Sequence, residues 1–103
     1  MFSVYILQSI NKPRKIYIGF TGQNINDRLA NHNQGKSSFT SRYRPWRIIY
    51  YEVYLSAKDA RTREKMLKQY GSSLGHLKRR LKESLKFEKG GVGSMNVSSS
   101  RER

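Results

Sequence analysis

The sequence predicts an α+β domain: a small three-stranded antiparallel sheet flanked by helices, in the order β-β-α-β-α-α. Three observations predict it. Two alternating apolar segments at the amino end lie close enough to pair, a capped amphipathic segment follows, and a third β-rich run precedes two more stretches of helical period.

The segment "FSVYILQS" (2–9) places Phe2, Val4 and Ile6 on one face and Ser3, Tyr5 and Leu7 on the other. In the same way "KIYIGFT" (15–21) sets Ile16, Ile18 and Phe20 opposite Tyr17, Gly19 and Thr21. The connection "INKPRK" is short enough for an antiparallel hairpin, which lets Tyr5 and Tyr17 share a face. Asn24 caps a helix over 25–34, with Asp27 at the third helical position and Gly35 as the stop. Ile25 and Leu29 define its buried stripe. At about 100° per residue, Arg28 and His32 fall beside that stripe and so face the sheet.

"GKSSFTSRYRPW" (35–46) reads as a polar, basic loop closed by Pro45, and "RIIYYEVY" (47–54) as the third strand. Ser56 and Asp59 open a second helix, 57–70, with Gly71 as its stop. A last helix, 73–86, carries Leu74, Leu77, Leu81 and Leu85 on one side, and the lysines and arginines elsewhere. Residues 1–88 make the domain. The remainder, "KGGVGSMNVSSSRER" (89–103), has almost nothing to bury and reads as a disordered tail.

Charge narrows the partner. The chain has 103 residues with 21 Lys+Arg against 7 Asp+Glu, a formal net charge of +14, and such a surface attracts polyanions. Nucleic acid is the leading partner class. No apolar run approaches the roughly 20 residues needed to span a bilayer, and "MFSVYIL" is too short and uncharged for a signal peptide. The expectation is a soluble, unexported, cytoplasmic chain with no membrane partner, and a monomer is the favoured state. The absence of cysteine excludes disulfides and Cys-based zinc sites, and two histidines alone make a poor zinc site, so any metal would be a hard ion on oxygen ligands.

The second helix adds an anomaly. Ala57, Ala60 and Leu67 mark its apolar side, and Glu64 lies at the centre of that arc. A buried carboxylate is costly unless it is paired or binds something. The inward polar set is therefore Tyr5, Tyr17, Arg28, His32 and Glu64, with Gly19 leaving space for a ligand to approach the sheet. Two tyrosines, an arginine, a histidine and one acid suit phosphodiester chemistry. Each also has a plainer reading: Tyr5 and Tyr17 as strand core, Arg28 as an ion-pair partner of Glu64, His32 as a packing histidine. In the basic segment, Lys36, Arg42, Arg44 and Arg47 suit phosphate contacts; Tyr43 and Trp46 could stack on unpaired bases, although Trp46 reads equally as a core plug after Pro45.

"VYI" at 4–6, "YIG" at 17–19, Arg28 with His32 one turn on, and Glu64 on a later helix together resemble the GIY-YIG nuclease superfamily. "HNQGK", "RPW" and "REKMLK" resemble its small stand-alone bacterial members, and the likeness spans about residues 2–84. The resemblance implies a nuclease that cleaves nucleic acid, DNA foremost, with one divalent ion, Mg²⁺ or Mn²⁺. It implies Glu64 as the metal ligand and Arg28 as the holder of the scissile phosphate. Tyr17 would be the general base or would position the attacking water, with Tyr5 packed or hydrogen-bonded beside it and His32 orienting water or phosphate. Many active members carry an asparagine about one helix after the glutamate, and residues 70–84 contain none, leaving His76 or a serine as substitutes. Some also have a polar residue where this chain has Phe20. Three functional classes follow: a metal-dependent structure-selective or weakly selective endonuclease, a nucleic-acid-binding module of the same fold without turnover, and a basic scaffold of RNA–protein particles.

Overall fold

A computed structural model describes residues 1–86, so the expected tail and the last two residues of the expected domain lie outside the described residues. Strands β1 (Phe2–Ser9) and β2 (Ile16–Thr21) form the hairpin, helix α1 (Ile25–Asn33) follows, then a short helix α2 (Ser38–Arg42), strand β3 (Trp46–Tyr54) and helices α3 (Ala57–Gln69), α4 (Gly71–Arg80) and α5 (Lys82–Leu85). The sheet is antiparallel with order β2-β1-β3, and the central strand β1 is the most deeply buried one. Both of its faces are covered.

On one face Val4, Ile6 and Ile18 pack with Ala60 and Leu67 of α3 and with Leu77 and Leu81. On the other, Tyr5, Leu7 and Trp46 form a second core, with Tyr17, Ile25, Leu29 and Ile48 packed against it. Period-two alternation explains the division in β1 and β2. In β3 the phase slips. Ile6 pairs with Tyr50 but Leu7 pairs with Ile48, so Ile49 is an extra residue, a β-bulge. The bulge brings Trp46 and Ile48 onto the face of Leu7, and it sends Arg47 to the opposite face beside Gln8.

Helix α1 ends as expected: the Asn24 side chain accepts from the Asn26 and Asp27 backbone N–H groups, and Gly35 takes a φ of 80° just past the last turn. Two expectations change. The segment 35–46 is not all loop, because α2 occupies its middle. This one-turn helix is too short to stand on propensity; the Trp46 indole Nε1–H holds it by donating to the Thr40 carbonyl at 2.7 Å. The last helix is not continuous over 73–86 either. Gly71 begins α4 rather than acting only as a stop, the break from α3 being the extended Tyr70, and Leu81 turns into the core between α4 and α5.

An ion-pair cluster sets the rotation of α3. Arg63 grips both oxygens of Glu52 at 3.0–3.1 Å, and the Tyr50 and Tyr54 hydroxyls donate to the same carboxylate at 2.6 Å each. Burial works to raise the Glu52 carboxyl, but these hydrogen bonds, with the Arg63 charge, outweigh it and hold the group below the usual carboxylate range. Fixing Arg63 over β3 fixes the direction of the next residue, Glu64.

Candidate active site

Tyr5 stands on the central strand and Tyr17 on the edge strand, with ring centroids 6.3 Å apart. Gly19 lies directly across from Tyr5 in the register. The glycine is required, for a reason other than ligand access. A Cβ there would collide with Cζ and Oη of Tyr5 and come within 2.9 Å of Cε2 of Tyr17, so the missing side chain makes room for the two tyrosine rings.

The two hydroxyls differ in their surroundings. Tyr5 Oη lies 2.8 Å from His32 Nε2, His32 Nδ1 lies 2.9 Å from Thr40 Oγ1, and the Thr40 hydroxyl donates to the Ser37 carbonyl at 3.4 Å. With the Thr40 proton directed to Ser37, His32 Nδ1–H donates to Thr40 and Nε2 accepts from Tyr5. Burial pushes the Tyr5 hydroxyl up to about 12; Tyr17 and Glu64 add to the rise, and the Arg28 guanidinium opposes it. Tyr5 is therefore a locked, protonated phenol at neutral pH. Tyr17 is only partly buried, and its hydroxyl makes no hydrogen bond among the described residues.

His32 departs from its expected role. It is 1% exposed with both ring nitrogens engaged, so it faces neither water nor phosphate and instead fixes Tyr5. Burial first, and then the positive charge of Arg28, push its pKa down to about 4 and keep it neutral. Thr40, wholly buried, was not singled out by the sequence, because a threonine in a Ser/Thr-rich segment carries no signal of burial.

Arg28 is half-buried beside Tyr5, and among the described residues no carboxylate pairs with it. The Glu64 carboxylate, 18% exposed, pairs with Lys68 one turn on at 3.0 Å. An Arg28–Glu64 ion pair, the plainer reading of those residues, is thus not formed. Glu64 is the acid nearest this constellation, and among the described residues no group of three or more His, Cys, Asp or Glu gathers as a metal cage. One partly exposed carboxylate fits Mg²⁺ or Mn²⁺, hard ions that take one or two protein carboxylates and complete their shell with water and phosphate oxygens.

The basic segment divides. Lys36, Arg42 and Arg44 are exposed. Tyr43 is half-buried under Lys15, whose Nζ lies 5.2 Å from the ring centroid, and Trp46 is the core plug at 2% exposure, so it offers no face to a base. Arg47, expected among the phosphate contacts, is turned away by the bulge; its Nη2 donates to Gln8 Oε1 at 2.6 Å and to the Ser84 carbonyl at 2.7 Å, tying α5 to the sheet. Phe20 faces the other core, stacked on Phe2 with Arg61 at 4.1 Å over its ring, and does not line the site. His76 is exposed and takes a hydrogen bond from Arg79 at 2.6 Å, with none to a site residue, so it does not replace the absent asparagine.

Among the described residues no helix is long and apolar enough to cross a membrane. No solved structure matches the chain. Curated relatives do: UPF0213 proteins of Streptococcus pyogenes serotype M3 (strain ATCC BAA-595 / MGAS315), of serotype M1 and of serotype M5 (strain Manfredo) are each 37% identical over 67 residues, covering 64% of this chain and 70% of the relative. The family model described as "GIY-YIG catalytic domain" matches residues 1–78, which takes in both tyrosines, Arg28 and Glu64. A three-stranded antiparallel sheet with flanking helices, within a match covering most of the chain, places the protein in the GIY-YIG family.

Proposed function

We propose that the protein is a divalent-metal-dependent endonuclease that hydrolyses phosphodiester bonds of nucleic acid, DNA foremost, with weak sequence selectivity or selectivity for strand structure. The observation that carries this reading is the contrast among neighbouring groups: among the described residues the Tyr17 hydroxyl has no hydrogen bond and Arg28 no carboxylate partner, while Glu64 presents a partly exposed oxygen ligand. A divalent ion held by Glu64 would supply Lewis-acid charge to the phosphate and the leaving oxygen. Arg28 grips the non-bridging oxygens through its planar fork and offsets the charge that develops there. The Tyr17 hydroxyl positions the attacking water, or takes up its proton after first giving up its own to solvent. Tyr5, fixed by His32 and Thr40, holds the wall against which Tyr17 stands.

The test is incubation with duplex, flapped, branched and single-stranded DNA in Mg²⁺, Mn²⁺ or EDTA. Cleavage should need the metal, and Glu64→Ala should abolish it while leaving DNA affinity equal or slightly higher, because a negative charge is removed. Metal-dependent nicking that persists in purified Glu64→Ala would remove Glu64 from the site. The second reading, a binding module without turnover, is favoured by the missing asparagine and by the Lys68 ammonium already seated on Glu64. It predicts salt-sensitive binding with no cleavage of any substrate.

A further inference from the structure

The sequence marks Tyr43 and Trp46 as the aromatics able to stack on bases, and the structure covers both. The exposed ring beside the site is a different one. Phe39, on α2, is 43% exposed, and it is held rather than loose: its ring stacks over Tyr17 at 6.1 Å and 29°, lies 6.2 Å from Trp46, and meets Tyr43 at 5.3 Å. It borders an open groove of about 360 Å³ along the outer strand β2. Tyr17, with Phe39 stacked on it, lines it from one core, and Ile18, Leu67 and Leu74 from the other. Lys68, the partner of Glu64, lines it as well. The groove therefore adjoins the candidate site through two residues, Tyr17 and Lys68.

We infer that this groove receives one nucleobase of the bound strand, lifted out of its own stack and laid against Phe39, next to the phosphate held at Arg28 and Tyr17. The position of that phosphate rests on the nuclease reading above. The lining suits a base and not a phosphate: it is apolar apart from Lys68, whose ammonium is on Glu64. Cations for the adjoining backbone lie outside it, at the exposed Arg42 that ends α2 and at Lys36 and Arg44 on either side of the helix. A second copy of the chain fits poorly, because a net charge of +14 on each molecule opposes their approach. A ring clamped on several sides loses little conformational freedom on binding, which is what a stacking platform needs.

The test measures binding by the full chain in EDTA, so it does not depend on turnover. The probes are a short oligothymidylate and a strand of abasic deoxyribose phosphate of equal length. Phe39→Ala should weaken oligothymidylate binding by about tenfold, the scale of one lost base–aromatic stack, with an unchanged salt slope and unchanged affinity for the abasic strand. Phe39→Tyr should bind like the wild type. Melting curves check folding; should the alanine variant melt early, Phe39→Leu keeps the volume without the π-face and should show the same selective loss. A duplex of mixed sequence forms the third arm. An equal loss there means the base is extruded from paired DNA, and a loss confined to the single strand means it comes from unpaired DNA. Equal weakening of thymidylate and abasic binding, or none of either in a folded variant, would overturn the inference. So would a concentration-dependent dimer that Phe39→Ala dissolves, since the groove would then belong to a second copy. Absence of cleavage on every substrate would defeat the nuclease reading and leave these affinities unaffected.

Discussion

The sharpest consequence of the buried His32 is loss of stability in mild acid. The perturbation is a fall in pH from 7.5 to 4.5, read against His32→Gln, which keeps one donor and one acceptor for Tyr5 and Thr40 but does not titrate. In the folded chain His32 resists protonation until about pH 4, whereas an unfolded histidine takes its proton near 6.5. Between those values the unfolded state binds more protons, so stability falls as pH falls, beginning near 6.5 and complete near 4. The full gap is worth on the order of 3 kcal/mol, of which about 2 is lost by pH 5. For a domain of this size that is a drop of roughly ten degrees in melting temperature. Glu52, whose carboxyl is held low, adds its own loss only as pH drops below its unfolded value of 4.5, and it is common to both proteins. Thermal melts followed by circular dichroism should therefore show the wild type falling from pH 6.5 to 5 while His32→Gln stays nearly level. Parallel curves for the two proteins would refute the neutral, buried histidine and with it the tautomer assigned to the Tyr5–His32–Thr40 chain.

Two further substitutions test the geometry around the tyrosines. Gly19→Ala forces a Cβ into the ring of Tyr5, which is buried and cannot swing aside, so it should destabilise the fold by about 1–3 kcal/mol, the usual scale of overpacking; an unchanged melting temperature would contradict the close approach. Arg28→Lys keeps the charge but loses the fork, and cleavage should fall by about 10²-fold with melting unchanged, whereas parallel losses of rate and stability would mean that Arg28 is structural.

The parts of the fold that follow one simple period were legible in the sequence. In β1 and β2 the alternation placed Tyr5 and Tyr17 on one face, and in α1 the Asn24 cap and the Ile25/Leu29 stripe turned Arg28 and His32 inward. What escaped depends on tertiary contacts. The bulge at Ile49 has no glycine or proline to mark it, and a slip of one residue sends Arg47 to the wrong face. Helix α2 exists because Trp46 reaches back to Thr40, a contact no local propensity announces. Gly19 was recognised as necessary for the wrong reason, since the sequence shows a missing side chain but not the ring that crosses it.

The two tyrosines began as equivalent residues on equivalent strands, and their strand positions separate them. β1 is paired on both sides and covered on both faces, so a polar group on it must find its partner inside the protein; Tyr5 finds His32, and burial holds its proton. β2 has one open edge, and Tyr17 on it is only partly buried and lines the groove. A group that must take up and release a proton at each turnover cannot be one whose hydrogen bond the fold already requires. On the proposed nuclease reading, contact with the attacking water would therefore fall to Tyr17 and placement to Tyr5. The same reading accounts for a buried histidine with its basicity suppressed: a charged imidazole near Arg28 would repel the guanidinium proposed to hold the phosphate, whereas a neutral one accepts from Tyr5 and leaves Arg28 in place.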